Sequence, residues 1–269
     1  MIRMARQWHG LGEMAWRMTL VTGALALLMM GGWRGVAAQI TADDFLARGE
    51  DKMESGDVAG AIEDFTQAIR IEPSNAEGFV GRGFAQSALQ RYSAALDDFS
   101  QAIRLAPTDG GVYAARAEVR AALNDHPGAI QDFSQALGLD PALSDAYAGR
   151  AVSREATGDL RGALEDFNQA VRANPADGEL LAVRGALLFR LNDSRGALQD
   201  FDAALRINPS DAEAMFSRGM VRTSLNDKPG ALADLQEAVR LYTAQGNAQQ
   251  AAEVRQMITD MQSEQVTPD

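Results

Sequence analysis

This sequence predicts an all-α fold, a stacked array of one small helical unit, and three observations predict it. A Pro-bearing turn recurs every thirty-four residues, at Pro73, Pro107, Pro141, Pro175 and Pro209. An aromatic stands eight residues before each of them, at Phe65, Phe99, Phe133, Phe167 and Phe201. Each period holds two helix-length segments joined by a polar turn, and no insertion disturbs the spacing. Self-similarity at a fixed period is the mark of a repeat architecture, in which a hairpin too small to cover its own apolar face stacks on copies of itself.

Counting from Ala42, the units are 42–75, 76–109, 110–143, 144–177, 178–211 and 212–245. Their internal turns are Gly56-Asp57, Gln90-Arg91, Asn124-Asp125, Gly158-Asp159, Asn192-Asp193 and Asn226-Asp227. An Asp there can accept the unpaired N–H groups that open the second helix. Pro127 and Pro229 follow two residues after Asp125 and Asp227, where a helix start loses no hydrogen bond. The sixth unit drifts, with Leu235 for Phe and Thr243 for Pro. Beyond it, residues 246–262 place Ala251, Val254, Ile258 and Met261 on one stripe, as a capping helix would. Residues 263–269 are expected to form a disordered tail.

Position 8 of each unit is small: Gly49, Gly83, Ala117, Ala151, Gly185 and Gly219. Position 20 is always Ala, at Ala61, Ala95, Ala129, Ala163, Ala197 and Ala231. Small residues facing each other let two helices approach closely. With an aromatic at 24, Ala at 27 and Pro at 32, the pattern resembles the tetratricopeptide repeat across residues 42–245. That resemblance implies a right-handed α-solenoid superhelix whose first helices line a concave groove for a protein or peptide.

Position 7, often Leu in that family, is here Arg48, Arg82, Arg116, Arg150, Arg184 and Arg218. Position 23 is Asp64, Asp98, Asp132, Asp166, Asp200 and Asp234. These residues flank the packing seam, so each Arg is expected to reach the Asp of its own unit, because buried charges persist when paired. The competing reading is a charged ladder facing a ligand.

The chain is 269 residues long and carries a formal charge of -12. That field opposes nucleic acid and anionic membranes and favours basic or neutral partners. Cys is absent, which excludes thiol catalysis and thiolate metal sites, and the only histidines are His9 and His126. No phosphate loop, nucleophile elbow or HExxH motif occurs, so no enzyme, metal or cofactor is expected. His126 reads as a solvent-facing turn residue.

Arg3, Arg6 and Arg17 precede the apolar run Met18 to Met30, and small residues follow. The pattern predicts a signal peptide over residues 1–38, cut after Ala38, and a periplasmic or extracellular protein. The alternative is an uncleaved inner-membrane anchor facing the periplasm, although Met18 to Trp33 is shorter than the roughly 20 residues a spanning helix needs.

By the resemblance, groove positions 2, 5, 9, 12 and 13 fall on residues that include Glu50, Val152, Glu155 and Ala186. Phe84, Phe189, Arg190, Phe216 and Met220 are the expected partner contacts, since aromatic and Met side chains offer large adaptable area. The other reading is that they fill gaps between neighbouring first helices. The Lys and Asn with which some family members clamp a terminal carboxylate are absent; Leu46 and Glu50, Val80 and Phe84, Ala114 and Glu118 stand there. The expected function is a non-catalytic adaptor, with a membrane-tethered envelope assembly factor as the alternative and an enzyme or small-molecule carrier ranked last.

Overall fold

A computed structural model describes residues 40–263. The segment 1–38 and most of the tail, 264–269, lie outside the described residues. The helices are α1 (Ala42–Ser55), α2 (Val58–Ile71), α3 (Ala76–Ala88), α4 (Tyr92–Leu105), α5 (Gly110–Ala122), α6 (His126–Leu139), α7 (Ser144–Ala156), α8 (Leu160–Ala173), α9 (Gly178–Arg190), α10 (Ser194–Ile207), α11 (Ala212–Ser224), α12 (Lys228–Ala244) and α13 (Ala248–Ser263). No strand occurs among the described residues. Two compact units make up the chain. The first ends at Pro107 and holds two helix-turn-helix repeats; the second begins at Thr108 and holds four repeats and α13.

Turn chemistry sets each hairpin. Position 15 is left-handed in every repeat, at Gly56, Gln90, Asn124, Gly158, Asn192 and Asn226. Glycine and asparagine tolerate that conformation, whereas Gln90 adopts it (φ 58°) at a steric cost. The next residue caps the second helix: Asp57, Asp125, Asp159, Asp193 and Asp227 each accept from the backbone N–H of a glycine three residues on. A methyl group on Gly60, Gly128, Gly162, Gly196 or Gly230 would collide with that carboxylate. In the second repeat Arg91 replaces the Asp, no side chain caps α4, and the glycine position is Ala94. His126 opens α6 and is partly buried, in contrast to the solvent-facing turn residue expected, because Asp125 rather than His126 is the cap.

The seam between paired helices is lined by the position-20 alanines, all 0% exposed, and by Phe65, Phe99, Phe133, Phe167 and Phe201, at 1–2%. Burying each Phe contributes about 1.5–3 kcal/mol. Space for Phe65 comes from Gly49 in its own repeat and Gly81 in the next, where an added Cβ would lie 2.7 and 2.5 Å from the ring. In the sixth repeat Thr243 allows α12 to run to Ala244, seventeen residues against fourteen in the other second helices. Gly246 then turns the chain (φ 79°), and α13 buries Ala251 and Val254 while Ile258 and Met261 pack against the last core cluster. One face of α1 is solvated. Asp44 and Asp51 are exposed on α1, where the same positions in later repeats carry buried Gly78, Val112, Ala146, Leu180 and Ala214, and Ala85, Val119, Ser153, Leu187 and Val221. Polar outer faces of this kind belong to terminal repeats.

Candidate functional site

The charged seam comes first, since it decides which polar groups remain for a partner. The structure brings each position-7 Arg to the Asp sixteen residues on. Nε donates to Oδ2 at 2.8 Å in Arg48–Asp64, Arg82–Asp98 and Arg116–Asp132, and at 2.9, 2.7 and 2.9 Å in Arg150–Asp166, Arg184–Asp200 and Arg218–Asp234. Nη2 donates to Oδ1 in all six. These Asp residues are only 2–6% exposed. Such fork-to-fork pairs match guanidinium to carboxylate geometry.

The third nitrogen joins neighbouring repeats. Nη1 of Arg82 donates to Thr66 Oγ1 (3.2 Å), Arg150 to Ser134 Oγ (3.1 Å), Arg184 to Asn168 Oδ1 (3.0 Å) and Arg218 to Asp202 Oδ1 (2.8 Å). Among the described residues no helix precedes α1, and the Arg48 side chain is 48% exposed against 15–22% for its five counterparts. The guanidinium also lies over an aromatic three residues back, 4.7 Å from Phe45 and 5.8 Å from Phe79, Tyr113 and Tyr147.

A second cation, which the sequence reading overlooked, reaches the same carboxylates from position 11. Lys52 lies 2.8 Å from Asp64, Arg120 3.0 Å from Asp132, Arg154 2.8 Å from Asp166 and Arg222 2.9 Å from Asp234. Each also donates to the backbone carbonyl of the position-19 glycine. The signal is visible at 34-residue spacing, interrupted by Gln86 and Leu188. The hydrogen bond from Arg48, then that from Lys52, holds the Asp64 carboxyl below the usual carboxylate range against the opposing effect of burial. These charges are committed to the seam. In a depression lined by Tyr113, Arg116, Arg120, Gln131, Asp132 and Gln135, the charged groups are the same paired Arg116, Arg120 and Asp132. Among the described residues no group of three His, Asp or Glu is placed to hold a metal.

The outward stripe of the first helices is different. Phe84 is partly buried with its ring edge-on to Phe99, centroids 5.2 Å apart. Phe189 and Phe216 are partly buried and pack against the last core cluster, and Met220 is also partly buried. Arg190 is exposed and pairs with Glu155, one repeat earlier. Val152, 48% exposed, and Ala186 stand open on the same stripes. On α1, burial first, then the carboxylates of Glu77, Asp51 and Glu54, pushes the Glu50 carboxyl above its ordinary value.

Helix pairs, a small-residue seam and solvated first-helix stripes define a class of protein-interaction repeat. The tetratricopeptide repeat pattern matches residues 46–110, 114–178 and 183–248, and the chain belongs to that family. Its modules are non-catalytic scaffolds. Among solved structures, the chain is similar to YrrB, a tetratricopeptide-repeat protein with an unusual peptide-binding site, at 21% identity over 71% of this chain and 97% of that one, TM-score 0.63. It is similar also to PilF of Pseudomonas aeruginosa, at 17% identity over 77% of this chain and 95% of that one, TM-score 0.68. A third is MamA, at 19% identity over 61% and 96%, TM-score 0.57. At these identities the likeness is one of fold. No curated protein matches the chain.

Proposed function

We propose that this protein is an exported, non-catalytic adaptor that holds a protein or peptide segment on the outward stripe of its first helices. The observation that carries the reading is the division of labour among the polar and apolar groups. The repeated Arg and Asp are bound to one another in the seam, whereas Val152, Ala186, Phe189, Phe216 and Met220 vary from repeat to repeat and keep exposed surface. Invariant contacts build the scaffold, and variable exposed ones distinguish partners. The peptide-binding site of YrrB supports the same use of the fold.

Export rests on the basic and apolar pattern of residues 1–38. No described helix is long and apolar enough to cross a membrane. Cross-linking in the native compartment, followed by mass spectrometry, tests the adaptor reading. A captured partner is expected to be weakened by Phe189→Ala and Phe216→Ala; a partner indifferent to both contradicts the contact surface.

A further inference from the structure

Val152 and Glu155 stand three residues apart on α7, and Ala186 and Arg190 four apart on α9, so each pair shares a helical stripe. The Glu155–Arg190 ion pair links the two stripes. Its side chains are 26% and 52% exposed, and Val152 is 48% exposed. Exposed apolar side chains on the two helices, Val152 and Ala186, therefore share their stripes with a carboxylate already occupied by an exposed guanidinium.

Charge at the neighbouring first-helix positions is mostly acidic. At first-helix positions 2, 5, 9, 12 and 13 of the four repeats over 110–245 stand Glu118, Asp145, Glu155, Glu179 and Glu213, and a single base, Arg190. Such a field attracts a cationic segment and repels an acidic one.

We propose that these stripes dock a partner segment in which a basic residue adjoins an apolar one, the apolar side chain covering Val152 and Ala186 and the base taking Glu155 in place of Arg190. The inference rests on the adaptor reading and names its partner's chemistry. Arg190 is the internal stand-in: it demonstrates that Glu155 is presented to accept a guanidinium from outside its own helix. Exposed ion pairs of this kind contribute little stability, so exchanging one base for another is nearly neutral for the protein. The gain for the partner is the apolar contact. Arg190 thereby acts as a competitor, and removing it should strengthen binding.

The test uses the full chain and a fluorescent synthetic peptide of alternating Arg and Leu, with Gln–Leu and Glu–Leu counterparts. The Arg peptide should bind more tightly than the Gln peptide, and the Glu peptide least. Glu155→Gln should weaken the Arg peptide about threefold to fivefold, and Arg190→Ala should strengthen it by a similar factor. Glu165→Gln, an exposed change on the second helix of the same repeat, should leave it unaltered. Equal binding of the Arg and Gln peptides, or equal losses from Glu155→Gln and Glu165→Gln, overturns the proposal. In either case a native partner that still depends on Phe189 leaves the adaptor reading standing, whereas one indifferent to Phe189 and Phe216 removes that reading as well.

Discussion

The guanidinium of Arg150 grips the carboxylate of Asp166 with two hydrogen bonds, 2.9 and 2.7 Å long, across the two helices of one repeat. Arg154 reaches the same carboxylate at 2.8 Å. In the second repeat, Arg82 grips Asp98 equally well, but Gln86 occupies the place of Arg154 and its Oε1 is buried without a partner. Removing Arg150 leaves Asp166 one cation, whereas removing Arg82 leaves Asp98 with none. We expect Arg150→Ala to cost about 2 kcal/mol and Arg82→Ala about 3–4 kcal/mol, because an unpaired buried charge is the costly outcome. Urea melts of the two variants check the order.

The reverse change should help. Gln86→Arg supplies the second cation that Asp64, Asp132, Asp166 and Asp234 already have, and removes an unsatisfied buried oxygen. A gain of about 1 kcal/mol is expected, read as a higher urea midpoint at unchanged slope.

The uncapped start of α4 gives a coupled prediction. Arg91→Asp alone places a carboxylate against the Ala94 methyl, a contact that glycine avoids in the other five repeats. Together, Arg91→Asp and Ala94→Gly should stabilise by about 1 kcal/mol, the usual contribution of an N-cap, and by more than the two single changes add up to. A double-mutant cycle on melting temperature measures the excess. Gln90→Gly should add about 1 kcal/mol by relieving the left-handed backbone.

Much of this was readable in advance and some was not, for identifiable reasons. Phe, Ala and Pro recur as the same residue at the same spacing, so the hairpin and its seam are explicit in the sequence. The Arg and Asp rows are equally uniform. The acceptors that receive Arg Nη1 are Thr66, Ser134, Asn168 and Asp202, four chemistries serving one role, and identity-based reading passes over them. The position-11 cations are masked by Gln86 and Leu188. At the candidate site, helical position places Phe189 and Val152 on the outward stripes alike. Only packing separates them, since Phe189 leans on the last core cluster while Val152 is 48% exposed.

Acid should expose the seam's electrostatics. The Asp64 carboxyl is held below its unfolded value, so the unfolded chain binds the proton more readily. Its contribution is full above the unfolded pKa, near 4, and is lost as pH falls through the lower folded value. Asp64→Asn should therefore flatten the fall in stability below about pH 4 while lowering stability at neutral pH. Glu50 runs the other way: its raised pKa makes protonation favour the fold, and Glu50→Gln should stabilise at neutral pH. Urea midpoints across the pH range compare both variants with the parent.

The most direct measurement of the division between scaffold and contact surface is photo-cross-linking in the native compartment, with the reactive group placed at Ala186 on α9 or at Glu165 on α8, both exposed. A partner captured from Ala186 and not from Glu165 is the predicted result. Capture from Glu165 with none from Ala186 would contradict the account.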